Sequence, residues 1–216
     1  AHYAQTYSIG GFIGKLLNST VRFNKAYSEK TIDISYEDAS ARVKGMYAGG
    51  FAGQADSTDN WIISDNTADQ DVRAVSLFTR NGNVGVGGFA GQIGGTEANT
   101  KVSKCYALGD VYGDGKAYAY SGGFVGEFYK GTIDLSFASG NKITAISPTG
   151  AYAGGFAGRL MNVQTYINDC YAVDGTIFAS AEGANAYAEA FYGNKIGTVT
   201  SVYGSANSVV QAPMGS

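Results

Sequence analysis

The sequence predicts an all-β fold, a β-solenoid of about six coils with roughly 35 residues and three strands in each coil. The main observation is a phrase, Gly-Gly-Phe-small-Gly, that recurs along the 216 residues. Its phenylalanines are Phe12, Phe51, Phe89, Phe124, Phe156 and Phe191, the last of which belongs to a degenerate sixth copy. A period between about 20 and 50 residues is typical of solenoids, propellers and arrays. Between the phrases, β-branched and aromatic residues alternate with small or polar ones, and no stretch has a helical period with caps.

The first part of each unit is a strand that carries the phrase itself. Four places before the phenylalanines stand Ser8, Tyr47, Gly85, Tyr120, Tyr152 and Tyr187. In stacked coils these tyrosines would form an aromatic ladder beside the phenylalanine ladder, and each ring pair adds about 0.5–1.5 kcal/mol beyond the burial of area. We expect the flanking glycines to mark bends and close approaches of backbone, where a side chain would not fit.

The second part of a unit is a β-rich run that ends in an aromatic and a small residue, as in residues 132–138, and the third is a shorter apolar stretch, as in residues 143–146. These three strands and their turns would make one coil. The second unit departs from the pattern, because its segments 56–61 and 65–71 are acidic, polar and longer than the matching turns. We place the solenoid at residues 1–206 and a C-terminal tail at 207–216.

Composition narrows the class of protein further. Sixteen tyrosines and eleven phenylalanines can build a core, so the chain is not disordered, and the net charge of −3 is mild and scattered. The absence of a basic patch interleaved with aromatics argues against a nucleic-acid partner. No apolar run approaches the roughly 18 residues of a membrane helix, so we expect no transmembrane segment.

The two cysteines occupy equivalent places in two repeats, with Ser136 at the matching place in the repeat between them. Coils that stack at about 4.8 Å would put Cys105 and Cys170 roughly 10 Å apart. A disulfide needs Cα atoms within about 7 Å. We therefore expect two buried, unpaired thiols and no metal pair.

Residues 122–140 read Gly-Gly-Phe-Val-Gly-Glu-Phe-Tyr-Lys-Gly-Thr-Ile-Asp-Leu-Ser-Phe-Ala-Ser-Gly. This unit resembles the GLUG repeat of bacterial surface proteins, which include filamentous adhesins and immunoglobulin A peptidases, with phenylalanine in place of the family's leucine. The resemblance is good in the fifth unit and partial elsewhere. It implies a right-handed solenoid and an extracellular or cell-surface location. It does not imply peptidase activity, because the metal-binding His-Glu-x-x-His motif is absent.

Little in the sequence supports catalysis. A Ser–His–Asp or Cys–His catalyst would need His2, the one histidine, at the start of the given sequence. Zinc lacks ligands, and the glycine phrase lacks the Lys-Ser/Thr ending of a phosphate loop. We therefore predict a chain that is not an enzyme, with no catalytic, cofactor or metal residues and no cofactor.

Carboxylates in the irregular turns are the only residues that would support a polysaccharide-acting enzyme or a calcium loop. The candidates are Asp56, Asp59, Asp65, Asp69, Asp71, Asp110 and Asp114. Trp61, the only tryptophan, is a candidate for stacking on a sugar. The simpler interpretation is that the carboxylates are solvated turn residues and that Trp61 anchors a loop.

The leading functional hypothesis is a non-enzymatic extracellular module, an adhesin stalk or a self-assembling surface protein. Its partners would be a protein or glycan on a surface, or head-to-tail copies of itself, because regular terminal coils with no capping element expose unpaired strands. Glycan binding and ice binding are the alternatives. For ice, a flat face would be formed by Ala48, Ala52, Ala90, Ala153 and Ala157.

Overall fold

The computed structural model describes residues 5–17, 22–36, 43–56, 62–77, 82–94, 100–140, 142–182 and 185–211. Within these ranges the chain is a parallel β-solenoid of about five turns with roughly 35 residues in each. The predicted fold class is therefore confirmed. Its right-handed sense stays a prediction.

The described strands fall into four sheets, A to D, in which each strand pairs in parallel with its counterpart one coil away. Sheet A contains β1 (Gln5–Gly10), β6 (Val43–Gly49), β11 (Asn83–Gly87), β16 (Tyr118–Gly122), β21 (Gly150–Gly154) and β25 (Asn185–Glu189). Sheet B contains β2 (Ile13–Leu17), β7 (Ala52–Asp56), β12 (Ala90–Ile93), β17 (Val125–Phe128), β22 (Ala157–Leu160) and β26 (Tyr192–Lys195). Sheet C contains β3 (Arg22–Asn24), β8 (Ile62–Ser64), β13 (Lys101–Ser103), β18 (Gly131–Asp134), β23 (Thr165–Asn168) and β27 (Thr198–Thr200).

Sheet D receives two strands from each of the first four coils and one long strand from each later coil. It contains β4 (Tyr27–Ser28), β5 (Ile32–Tyr36), β9 (Thr67–Ala68), β10 (Val72–Ser76), β14 (Tyr106–Ala107), β15 (Val111–Asp114), β19 (Phe137–Ala138), β20 (Lys142–Ser147), β24 (Tyr171–Ala181) and β28 (Tyr203–Gln211). β28 pairs with β24 as far as Gln211 opposite Ser180. The solenoid therefore extends past the boundary expected at residue 206, and residues 207–211 are part of a strand rather than a tail.

The prediction of three strands per coil was too coarse. The fourth coil passes through five strands, β16 to β20, because two of the expected strands are each divided by a bend. The phrase strand divides at Gly123-Phe124, between sheets A and B. The following run divides at Leu135, between sheets C and D, where the backbone adopts a left-handed conformation with φ of 48°.

The phenylalanines of the phrase form a continuous stack through the larger of two apolar cores. Ring centroids are 4.8 Å apart for Phe51–Phe89, Phe89–Phe124 and Phe124–Phe156, with interplanar angles of 8° or less. This spacing equals the distance of about 4.8 Å between neighbouring strands, so the rings follow the backbone repeat. The predicted phenylalanine ladder is confirmed. A second core, formed mainly by alanine, valine and isoleucine side chains, lies between sheet A and part of sheet D. The sheet D strands involved include β5, β10, β15 and β20, each of which is the second sheet D strand of its coil.

At two glycines of the phrase the neighbouring backbone leaves no room for a side chain. A Cβ on Gly122 would lie 2.1 Å from the carbonyl oxygen of Val125, inside the bend that joins sheets A and B. A Cβ on Gly126 would lie 2.4 Å from the backbone nitrogen of Val86, so sheet B presses against sheet A at this point. The expectation that these glycines mark bends and close backbone approach is confirmed.

The corner between sheets C and D repeats an unusual backbone conformation in every coil. One residue per coil has a positive φ between 48° and 61°, and none of them is glycine: Lys25, Asp65, Lys104, Leu135, Asp169 and Ser201. The left-handed region crowds every Cβ, but aspartate adopts it more readily than leucine does, because a short polar side chain can hydrogen-bond to the local backbone. Leu135 is therefore a strained member of this row.

The residue after the left-handed position points inward, and in the four middle coils its side chain hydrogen-bonds back to the backbone. The thiols of Cys105 and Cys170 donate to the carbonyl oxygens of Ser103 and Asn168 at 3.3 and 3.2 Å. Ser136 repeats this contact between them, donating to the carbonyl of Asp134 at 2.8 Å. Both cysteines are free and buried, as expected. Burial raises the pKa of each thiol to about 12, so neither is a ready nucleophile.

Replacing Leu135 tests the left-handed corner. Leu135 is 51% exposed, so its substitution removes little packing. Leu135→Asn should raise the free energy of unfolding by about 0.5–1 kcal/mol, because asparagine tolerates positive φ. Leu135→Val should lower it by about 1 kcal/mol, because β-branching worsens the crowding. Urea denaturation measures both changes, and an unchanged or reversed order would contradict the assignment of strain.

Shortening one ring tests the phenylalanine ladder. Phe124→Ala should lower the free energy of unfolding by about 3–5 kcal/mol, because it opens a cavity between two stacked rings. Phe124→Leu should cost about 1–2 kcal/mol, since leucine refills most of that volume. Phe12→Ala is the matched control at the ladder's end, where the ring is 51% exposed, and it should cost less than half as much as Phe124→Ala. Equal costs at the two positions would contradict the account.

Candidate functional site

The outward faces of sheets A and B form a trough that runs along the solenoid axis. The sheets are in backbone contact at the glycines that follow the phrase phenylalanines, such as Gly126. Beyond this line, tyrosines of sheet A face long polar side chains of sheet B. We call this region the A/B trough, and define it by its tyrosine row and its polar row.

The tyrosine row is the ladder predicted from the sequence. Strand register aligns Ser8, Tyr47, Gly85, Tyr120, Tyr152 and Tyr187 in successive coils. The rings of Tyr120 and Tyr152 stack at 5.3 Å, and those of Tyr152 and Tyr187 at 5.4 Å. A Cβ on Gly85 would lie 2.8 Å from the ring of Tyr47, so that ring occupies the space left by the missing side chain.

The polar row lies on sheet B, three residues after each phrase phenylalanine. Register aligns Lys15, Gln54, Gln92, Glu127, Arg159 and Asn194. Ser8 donates to the amide oxygen of Gln54 at 3.1 Å, and the amide nitrogen of Gln54 donates to the amide oxygen of Gln92. The glutamines therefore satisfy each other across the coils.

Glu127 interrupts this chain of hydrogen bonds. Its side chain is 1% exposed, and its Oε1 atom has no hydrogen-bond partner. Burial raises the pKa of Glu127 to about 7, and the nearby charge of Arg159 only partly offsets this. Within the described ranges the ion pairs are Arg73–Asp33 and Lys101–Asp134, so Glu127 is in neither. A buried acceptor without a partner costs free energy, so its presence needs a physical explanation.

Arg159 is directed at the tyrosine row instead. Its Nη1 donates to the Tyr120 hydroxyl at 2.9 Å, and its guanidinium lies 5.1 Å from the centre of the Tyr120 ring. Burial raises the pKa of the Tyr120 hydroxyl, and it also raises that of Tyr47, where the charge of Glu127 adds to the effect. Both phenols therefore stay protonated at neutral pH and act as neutral donors and acceptors.

A cavity of about 350 Å³ opens at the trough beside Gln92 and Glu127. Tyr47 borders it on one side, and Tyr129 and Asp56 complete much of the rest. Its volume lies within the range of about 300–1,000 Å³ that is typical of small-molecule sites. Its lining offers carboxyl, amide and phenol groups, which suit a neutral ligand with several hydroxyls.

The structure places the sequence-predicted carboxylates differently from expectation. Residues 65–71 are not an enlarged turn, because β8 and β9 pair in register with β13 and β14. Asp65 is the left-handed corner residue of its coil, and Asp69 accepts from the hydroxyl of Tyr27 at 3.1 Å. Asp59, Trp61 and His2 lie outside the described residues.

Two of the predicted carboxylates do meet on a shallow groove of sheet D, with a volume of about 290 Å³. Asp71 accepts from the backbone nitrogen of Asp110 at 2.9 Å, and Asp110 accepts from that of Lys142 at 3.0 Å. Arg73 borders the same groove, but it is held by Asp33 at 2.7 Å. These carboxylates cap the backbone of the following coil.

Asp114 is the last residue of β15, a strand that also lines this groove. Its carboxyl has a raised pKa because of burial, which the charges of Lys116 and Arg73 partly offset. In the part of the chain that the structure describes, no three His, Cys, Asp or Glu residues form a group that could hold a metal ion. The calcium hypothesis therefore gains no ligand set from these residues.

The alanine face suggested for ice binding is wrong. Each of its five residues is at most 2% exposed and belongs to one of the two cores: Ala48, Ala52, Ala90, Ala153 and Ala157. They cannot contact ice.

Comparison with known proteins adds no assignment. No protein-family model matches the chain, and neither a curated protein nor a solved structure matches it. The described residues include no helix long and apolar enough to cross a membrane.

The sequence contained a signal for the A/B trough that the prediction missed. In the first five units the phrase phenylalanine is followed three residues later by a long polar side chain, although the neighbouring positions are apolar or small. A polar residue repeated at one place in a strand indicates a shared row, and a change from amide to carboxylate in that row marks Glu127. The tyrosine row was found, but its polar partner was not.

Glu127 should make stability depend on pH. It lies beside Tyr47, Tyr120 and Arg159, and its pKa of about 7 compares with 4.5 ordinarily. Between these values the folded chain holds a proton that the unfolded chain has released, so stability falls as pH rises through this window. Glu127→Gln should abolish this fall and stabilise the protein above roughly pH 7 by on the order of 3 kcal/mol.

The measurement is urea denaturation at several pH values for the wild-type chain and the variant. Asp169→Asn is the control, because it removes an exposed carboxylate at a left-handed corner that asparagine also tolerates. This control should keep the wild-type fall. A Glu127→Gln variant that retains the fall would contradict the assignment to Glu127.

Proposed function

We propose that the chain is a non-enzymatic β-solenoid module that acts as a rigid rod, as a stalk or structural segment of an extracellular or cell-surface protein. The observation that carries the proposal is the continuity of the side-chain ladders. Stacked phenylalanines run from Phe12 to Phe191, and the pairing of each sheet is parallel throughout. Each coil contacts its neighbours, so rod length scales with the number of coils.

The resemblance of residues 122–140 to GLUG repeats supports the surface location. Repeats of that kind occur in filamentous adhesins. Head-to-tail contact between copies is a related proposal. The ring of Phe12, at one end of the phenylalanine ladder, is 51% exposed and could stack on an equivalent ring.

Duplication of one coil tests the rod. A second copy of residues 118–149 inserted after residue 149 reproduces the native register between Tyr118 and Gly150 at the new junction. The longest dimension in small-angle scattering should grow by about 4.8 Å for each added coil, and the melting temperature should not fall. A duplicated chain that aggregates, or that does not lengthen, would contradict the rod.

A second candidate is an enzyme acting on polysaccharide at the sheet D groove. The observation that favours it is the meeting of Asp71 and Asp110 with the basic Arg73. We rank it second because each of the two carboxylates already bonds to backbone of the next coil. Incubation with a panel of polysaccharides, followed by detection of new reducing ends or unsaturated products, separates the two proposals. Product that is lost in Asp110→Asn would overturn the non-enzymatic proposal.

A further inference from the structure

The A/B trough contains a buried polar group that the rod does not need. Amide side chains alone could satisfy the hydrogen bonds of its polar row, as the bond that Gln54 donates to Gln92 shows. At Glu127 the row instead places a 1% exposed carboxyl with a free Oε1 beside a cavity of about 350 Å³. An unpartnered buried carboxyl that lines a cavity indicates a ligand.

The lining discriminates among chemical classes of ligand. An anion is disfavoured, because Glu127 and Asp56 both border the cavity. A metal cation is disfavoured, because no three His, Cys, Asp or Glu side chains of the described residues form a group that could hold one. An apolar ligand would leave the carboxyl of Glu127 unsatisfied. A neutral ligand with several hydroxyls satisfies all of these groups, because a hydroxyl both donates and accepts.

We propose that the A/B trough binds a neutral oligosaccharide, with hydroxyls of one sugar donating to the free Oε1 of Glu127 and tyrosine rings packing on the sugar faces. Tyr47 and Tyr129 supply the rings at the cavity, and Gln92 supplies an amide between them. The lining extends from Gln54 through Gln92 to Glu127, one residue in each of three coils. Two steps of about 4.8 Å give a length near 10 Å, so the ligand is a chain that lies along the axis.

This site adds a binding surface to the proposed rod and does not depend on it. The rod is tested by length, whereas the site is tested by affinity at Glu127, so either can fail alone. The site also differs from the sheet D groove, since no side chain lines both cavities.

The experiment is titration calorimetry of the whole chain with neutral hexasaccharides. The probes are cellohexaose, xylohexaose, mannohexaose and N-acetylchitohexaose, with hexagalacturonic acid and hexameric chitosan as anionic and cationic comparisons. We expect saturable binding of at least one neutral probe and weaker binding of both charged probes. Saturation-transfer NMR on the bound probe identifies which sugar protons contact the protein.

Two variants assign the binding to the trough. At a pH above 7, where Glu127 is ionised, Glu127→Gln should weaken binding about tenfold, because a hydrogen bond to an ionised carboxylate is roughly twice as strong as a neutral one. Glu127→Leu should abolish it while keeping the volume filled, and replacing an unpartnered buried carboxyl by an apolar group should not unfold the chain. Asp169→Asn is the control and should bind as the wild type does. Circular dichroism and the melting temperature verify that each variant is folded.

Three results would overturn the proposal. These are the absence of saturable binding of every neutral probe, a preference for either charged probe, and neutral binding that survives in Glu127→Leu.

Discussion

The structure depends on parallel, in-register pairing between successive coils at a spacing of about 4.8 Å. Pairing of this kind places each residue on its counterpart, so any residue type that recurs at one place in the repeat becomes a row along the axis. Phenylalanine forms a stack with centroids 4.8–4.9 Å apart over the inner coils. Glycine permits the contact between sheets A and B, and left-handed residues make the corner between sheets C and D.

The same pairing places strict demands on polar rows, because a buried polar side chain must be satisfied by its neighbours one coil away. Amides meet this demand, since each donates to the next, as Gln54 does to Gln92. At the next place but one in the row, no group of the described residues donates to the Oε1 of Glu127, so the chain of hydrogen bonds ends there. In a solenoid, a break in a polar row is therefore a physical reason to look for a ligand, and here a cavity lies beside the break.

Much of the fold was predictable because its rows are visible in the sequence as repeated residues. The phenylalanine and tyrosine ladders and the buried, unpaired state of Cys105 and Cys170 follow from spacing alone. The division of each of the first four coils into five strands was not predictable, because residues as ordinary as Leu135 adopt the left-handed corner. The segment around Asp65 was misjudged since acidic composition suggested a long turn, whereas register keeps it regular. Glu127 was missed because its signal is visible only once the repeats are aligned at the place three residues after each phenylalanine, and a single glutamate read without that alignment matches no motif.

Register is the central claim, and distances between spin labels test it most directly. Labels on cysteines introduced at Tyr27, Tyr171 and Tyr203, in a chain with Cys105→Ser and Cys170→Ser, lie on equivalent strands of sheet D. Position 27 is four coils from 171 and five from 203, so backbone separations of about 19 and 24 Å are expected. Double electron–electron resonance should show the second pair longer by one coil spacing. Equal distances for the two pairs, or a difference unrelated to that spacing, would contradict the in-register solenoid.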